Sequence, residues 1–493
     1  MPKYKFQDTS LSVDERVNAL LEELTLDEKL LLITTYQREI PRLGIKAFPI
    51  GSEAARGLLV RRDDNDANCP ESPTTVFPEP FSVSATFDAG LMEEIGAIAA
   101  TEARIYNKDG KSTLCLWAPT VDLERDPRWG RNEEGYGEDP TLTGTLAAAL
   151  TRGMLGNDEK YYRVIPTLKH FYANNNEEDR TADNSSIPTV LKHDYYLKAF
   201  EQPIKKGGAR SVMTAYNMVN GVEAICNPEV STLCKNEWGM LFAVADGCDF
   251  VENVTRHKTD LSHTDTIVRI IKNGGVDIIT DNQDVVETAA RNALAQKQIT
   301  ESDIDKSLFG ALKARFLLGE FDSDCPYDKV DKNLLLCDNF RKTAAKACEE
   351  SIILLRNRHM TLPLREREKI AVIGLHSDMN FRDWYTGYSD KNPTILDGII
   401  AKVGRENVTY EMGNDIIAIR NGETGFYFSV SEDGTFVCDS ATINESCLLE
   451  VFDWGNGDVS FKSKFNGKFL CDSGALADNG VMKCVSDEPY GWF

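Results

Sequence analysis

Apolar residues recur along this chain in two rhythms, and the architecture follows where the rhythm changes. From about Ile40 to Phe321, short continuous apolar runs alternate with longer stretches of helical spacing. Cys115 to Ala118, Val164 to Leu168, Ser211 to Ala215, Phe242 to Ala245 and Val276 to Thr280 read as buried strands. Asp88 to Tyr106, Thr141 to Leu155, Leu191 to Lys205 and Val285 to Ala295 read as helices. Ahead of them, Ser12 with Glu15 and Thr25 with Glu28 have capping-box spacing, which predicts two short opening helices. Strands alternating with helices predict parallel βα units, hence a barrel or a doubly wound sheet. Polar residues crowd the strand ends, which favours a (β/α)8-type barrel with its site on the carboxyl face.

The pattern breaks near Phe321 to Pro326. A helix from about Asn339 to Ser351 then runs into Ile352-Ile353-Leu354-Leu355, and Lys369 to Gly374 reads as the first strand of a second α/β domain. From about Ala418 the texture becomes aromatic, Ser-rich and Gly-rich. Here Asp433-Gly434-Thr435-Phe436-Val437-Cys438-Asp439-Ser440 recurs 33 residues later as Asn466-Gly467-Lys468-Phe469-Leu470-Cys471-Asp472-Ser473. Strand pairs joined by Gly turns at this period resemble lobes of a fascin-like β-trefoil. About two lobes are present where closure needs three, so a fragment, or completion by a second chain, is the expectation.

Composition narrows the function classes. A chain of 493 residues is too long for one core. A net charge of −23 argues against nucleic acid and anionic membranes as partners. No run is long and apolar enough for a membrane span, and the start of the chain has no signal core. The twelve cysteines show neither paired CxxC nor histidine-ligand spacing, so no zinc site is expected and a cytoplasmic location fits.

The chemistry concentrates at the strand ends. Arg125 to Pro140 packs five acids and three arginines into sixteen residues, punctuated by Gly, Pro, Trp and Tyr. It follows the run Leu114 to Val121, at the end of a strand where α/β folds place their ligands. Taken alone, it is a ligand loop or an ion-paired structural one. Asp246 follows the apolar run Leu241 to Ala245; by itself it reads as a helix N-cap, with Asp249 as its runner-up for any catalytic role. Lys169 and His170 end the run Val164 to Leu168, and read as a salt-bridging lysine and a capped histidine, or as two donors to one ligand. Glu53 stands beside Arg56 in Gly51 to Gly57. Tyr216 and Met213 occupy Met213 to Gly221, where either can be packing; Asp277 and Asp281 read as structural.

Together these motifs resemble glycoside hydrolase family 3, over roughly Leu11 to Asp415. The resemblance implies a two-domain β-glucosidase or β-xylosidase type, with a barrel at 1–325, a linker at 326–345, the first part of an α/β sandwich at 346–417 and the trefoil insert at 418–493. It implies a retaining, exo-acting mechanism without cofactor or metal, in which Asp246 attacks the anomeric carbon. Arg125, Lys169 and His170 would hold sugar hydroxyls, Glu53 the outer hydroxyls, and Tyr216 and Met213 would line the pocket. Arg131, Glu134, Glu138 and Asp139 would brace the loop. Three departures stand out: Ala245-Asp246-Gly247 where the family often has Ser-Asp-Trp, Arg56 for a usual histidine, and no Gly-rich Asp-Ser-His loop after Lys169-His170, which argues against the aminosugar branch. The second carboxyl comes late in the family's sandwich domain, which would put it beyond Phe493 in a missing part or a second chain. β-Glucosidase is the first expectation. The alternatives are β-xylosidase or α-L-arabinofuranosidase, and a sugar-binding chain inactive alone. Oligomeric state stays open.

Overall fold

The computed structural model describes residues 3–60, 72–256, 261–365, 369–455, 457–472 and 481–486. Ser473, which closes the internal repeat, and Trp492 and Phe493 at the chain's end lie outside these residues. The chain divides into two compact units, Met1–Leu354 with Trp384–Asp390, and Leu355–Asp383 with Lys391–Phe493.

In the first unit, five short strands lie side by side in chain order: β1 (Ser52–Glu53), β2 (Cys115–Trp117), β3 (Ile165–Phe171), β4 (Ser211–Thr214) and β5 (Phe242–Val244). All four pairings are parallel, as the alternating pattern predicts. Beyond β5, Val244 bridges Ile278, and Ile279 bridges Thr34, both in parallel. The Ile50 amide then bonds the Thr35 carbonyl at 2.9 Å, just ahead of β1. Backbone hydrogen bonding therefore runs in a closed circuit. Among the described residues that circuit has seven extended segments, the five strands plus those at Thr34 and at Ile278–Ile279, where eight strands were expected. The Val276 to Thr280 run contributes bridges rather than a regular strand. One reason is that the Asp277 carboxylate, not a backbone carbonyl, takes the Ala243 amide at 2.8 Å.

Helices cover this circuit. Both expected capping boxes form, on α1 (Val13–Glu23) and on the short helix Leu26–Leu30. Next come α2 (Ala89–Asn107), capped by Asp88, and α3 (Pro140–Leu155), capped by Asp139. They touch where side chains vanish: a Cβ on Gly153 would lie 1.9 Å from the Glu93 carbonyl oxygen, and one on Gly96 2.2 Å from that of Leu150. α4 (Glu301–Leu317) presses on the start of β5 through Gly310. The single helix read over Leu191 to Lys205 is instead a wide turn at Lys192–Tyr196 followed by Lys198–Lys205.

The stretch 326–345, read as a linker, is packed into the first unit. Tyr327 is buried beneath the guanidinium groups of Arg104 and Arg163, and its hydroxyl accepts from the Asn157 and Asp158 amides. Helix Asp338–Ser351 buries Phe340, Thr343 and Ala347.

The second unit opens with a βαβ motif. Ile370–Ile373 pairs in parallel with Val408–Glu411 around helix Ile395–Val403, burying Val372, Leu396, Val403 and Val408. An antiparallel sheet follows, in the order Ile416–Ile417, Leu449–Gly455, Asp458–Ser463, Phe469–Asp472, Met482–Ser486, together with the hairpin Tyr427–Val430 and Phe436–Ser440. The sequence repeat has a structural counterpart. Gly434 and Gly467 both adopt left-handed backbone (φ 83° and 70°) in turns that lead into Phe436–Ser440 and Phe469–Asp472. Both turns also meet the last strand at Cys484: its amide donates to the Gly434 carbonyl, and its carbonyl accepts from Asn466 Nδ2.

Candidate active site

The carboxyl ends of β1, β3 and β5 bring together Glu53, Lys169, His170 and Asp246. Parallel strands put successive chain exits on one side of the sheet, so residues distant in sequence meet there. Lys169, on β3, donates to Glu53 Oε2 at 2.9 Å. Burial opposes the ammonium charge, yet Glu53 beside it holds the Lys169 pKa above its ordinary value. The Tyr385 ring lies 4.5 Å from Lys169 Nζ. Asp246, just past β5, keeps 16% of its side chain exposed, and its Oδ2 lies 3.7 Å from His170 Nε2. Its Oδ1 accepts from the Gly247 amide at 2.7 Å. Burial raises its pKa, against the pull of Arg131, the Gly247 amide and Lys169.

His170 is the centre of the group. Its backbone amide and its Nδ1 both address Asp122 Oδ2, at 3.0 and 2.8 Å. Its Nε2 lies 3.4 Å from an Arg131 amino nitrogen. Burial, then the cations Arg131 and Lys169, push the His170 pKa well down, so the ring is neutral. A neutral ring flanked by an acceptor at Nδ1 and a donor at Nε2 carries its proton on Nδ1. Asp122 is itself pushed well up by burial, and its Oδ1 finds no donor among the described residues.

Arg131 supplies the guanidinium of this site. It donates to Glu134 through Nε and one amino nitrogen, and the same amino nitrogen donates to the Tyr385 hydroxyl at 2.9 Å. Arg125, expected to be the sugar contact, is placed differently. It is exposed, donates to Asn175 at 3.3 Å and packs over Tyr196. Which of two arginines six residues apart on an irregular loop turns inward is beyond what charge pattern alone resolves. Of the other expected residues, Tyr216 donates to the Gly247 carbonyl at 2.7 Å and is covered by Arg180. Met213 is buried on β4 opposite Val244. Glu134 and Asp139 do brace the loop, the latter as the α3 N-cap. Asp249 begins helix Asp249–Arg256, with burial holding its carboxyl well up; Asp277 and Asp281 take the Ala243 and Val251 amides.

Residues 64–312 match the N-terminal domain of glycosyl hydrolase family 3. The chain belongs to glycosyl hydrolase family 3. A probable β-D-xylosidase 7 of Arabidopsis thaliana is 28% identical over 91% of this chain and 61% of its own. A xylan 1,4-β-xylosidase of Xylanibacter ruminicola is 31% identical over 83% of this chain and 48% of its own. Among solved structures, β-glucosidase 3B of Thermotoga neapolitana in complex with α-D-glucose superposes with a TM-score of 0.66 at 26% identity, over 80% of this chain and 55% of its own. The chain spans about half the length of the curated relatives it matches.

This family 3 chain holds two site residues, Asp122 and Tyr385, that its sequence did not single out. Asp122 is an acid between the apolar Val121 and Leu123, and a buried acid there already signals a paired role. Glu124, two residues on, is raised to about 7 by burial, with Oε1 lacking a donor among the described residues. Tyr385 gave no local signal. It arrives on the segment Trp384–Asp390, which joins the first unit although its neighbours do not. Tyr388 pairs with Pro73, Asp390 grips Arg341 at 2.7 Å, and Gly387 sits where a Cβ would come 2.4 Å from Thr74 Oγ1.

Proposed function

We propose that this chain carries the sugar-holding half of a retaining, exo-acting β-glycosidase, with xylose as the terminal sugar in preference to glucose. The observation that carries the reading is the single row of Asp246, His170, Lys169 and Glu53 at the strand ends, a carboxylate nucleophile aligned with hydroxyl-binding groups. Asp246 attacks C1 and a glycosyl-enzyme forms, which water then hydrolyses. His170, neutral and oriented by Asp122, accepts at Nε2 from a hydroxyl near the nucleophile. Arg131, rather than Arg125, supplies the guanidinium contact. Lys169 and Glu53 take the outer hydroxyls.

The glycone preference departs from the β-glucosidase expectation. The curated relatives are named as β-xylosidases, and Glu53 reaches one methylene further than an aspartate toward where a hydroxymethyl arm would lie. Glucose keeps one support, the likeness to the Thermotoga β-glucosidase. Incubation with 2-deoxy-2-fluoro-xylosyl and -glucosyl fluorides, followed by peptide mass spectrometry, tests both points. Label on Asp246, stronger from the xylosyl reagent, is expected. Label elsewhere sinks the nucleophile assignment, and stronger glucosyl labelling restores glucose. No label from either, with sugar affinity by calorimetry, makes this a binding chain.

A further inference from the structure

The row of site groups has a far end. Asp246 Oδ2 stands 3.7 Å from His170, whose neighbour Lys169 bonds Glu53 at 2.9 Å. Glu53 in turn faces Trp117 in the register of β1 with β2. Beside them is a cavity of about 390 Å³ bounded by Glu53, Trp117 and Trp384, with Ser112 and Thr113 in its wall. The Trp117 indole lies flat against Gly51, where a Cβ would come 2.2 Å from the ring. Its Nε1 is buried without an acceptor among the described residues, although a buried indole N–H ordinarily finds one. Trp384 keeps 45% of its surface exposed. Indole planes interleaved with hydroxyls suit a pyranose, which has apolar C–H faces and a polar rim. The volume far exceeds a hydroxymethyl arm and lies in the range of small-molecule sites.

On the reading of Asp246 as nucleophile and Glu53 as the outer-hydroxyl acceptor, we infer that this cavity is a further glycosyl subsite on the side remote from the nucleophile. A terminal ring with its anomeric carbon at Asp246 and its outer hydroxyls at Glu53 spans the row. Whatever fills the cavity is therefore linked to an outer hydroxyl, on the non-reducing side. The occupant is a neutral sugar unit stacked on an indole plane. The chain then cleaves intact disaccharide units as well as single sugars.

Aryl glycosides isolate this subsite, because the aryl group must occupy the leaving side. With 2,4-dinitrophenyl β-xylobioside, the Asp246–C1 bond forms as the C1–O bond breaks. The electron pair leaves with the phenolate; water then attacks C1, the Asp246–C1 bond breaks to return the carboxylate, and xylobiose leaves with the water's proton passing to solvent. The expected result is intact xylobiose by mass spectrometry in step with phenolate. Trp117→Phe and Trp384→Ala should each lower kcat/KM on the bioside at least fivefold, while the corresponding xyloside changes less than twofold. Phenolate accompanied only by xylose, or equal losses on both substrates, overturns the subsite. Cellobioside and glucoside serve as the parallel pair if glucose is the glycone. Binding is read without turnover by tryptophan fluorescence on titration with methyl β-xylobioside and methyl β-cellobioside. A quench lost in Trp117→Phe with no hydrolysis of any aryl glycoside sinks the hydrolase reading alone; no quench with either sugar sinks the subsite.

Discussion

His170 shows how a residue acquires a role from its neighbours. A histidine at a strand end is unremarkable by itself, but Asp122 at Nδ1 and Arg131 at Nε2 leave it one tautomer and no charge. The same crowding separates the two arginines. Arg131 makes paired bonds to Glu134 and a third to Tyr385, whereas Arg125 is exposed. Arg131→Lys keeps the charge but not the fork, and forfeits charge-assisted bonds of about 1.5–3 kcal/mol each, so kcat/KM should fall roughly tenfold to a hundredfold. Steady-state kinetics on an aryl xyloside, run beside Arg125→Lys, checks this; an equal or larger loss at Arg125 would return the contact to that residue. Glu124 makes a prediction about pH. Its native pKa, raised to about 7, exceeds the ordinary glutamate value, so between about pH 4.5 and 7 the native carboxyl holds a proton that the unfolded chain has lost. Its contribution is full below that window and is lost as pH rises through 7, by about 1–3 kcal/mol after allowance for its partial exposure. Glu124→Gln should flatten this decline and stabilise the chain at pH 8, measured by urea unfolding at several pH values.

Elements in the first unit are spaced by glycine as much as by apolar burial. α2 and α3 meet at Gly96 and Gly153, each with a backbone carbonyl where a side chain would begin. A carbonyl cannot swing aside as a long side chain does, so Gly153→Ala must push the helices apart. It should cost about 1–3 kcal/mol, read as a lower urea midpoint with an unchanged slope. Most strands and helices in this unit were legible because burial on both faces of a parallel sheet leaves unbroken apolar runs. The exceptions have local causes. At Val276 to Thr280 the Asp277 side chain replaces a ladder partner, and at Leu191 to Lys205 the Leu197 amide reaches back five residues to Lys192.

Across the whole molecule, burial is uneven. The first unit holds one continuous apolar core from Phe6 to Ala347, while the βαβ motif of the second buries only Val372, Leu396, Val403 and Val408 together. Less apolar burial means less to offset chain entropy. The second unit should therefore unfold at lower temperature, giving two calorimetric transitions. Pulse proteolysis with mapped cleavage sites assigns them; a single transition with simultaneous cleavage of both units would refute this. The parallel α/β character, the capping boxes, the repeat with its two glycine turns and the family were legible along the chain, since each rests on neighbouring residues or on periodic spacing. Lys169, His170 and Asp246 were singled out because they follow apolar runs, and Glu53 because its segment resembles the family's. Folding alone reveals which arginine faces His170, that Asp122 orients it, and that Tyr385 joins the site from a segment more than two hundred residues away from Lys169 in the chain. Those choices depend on how irregular loops fold back across strand ends, and no periodicity records that.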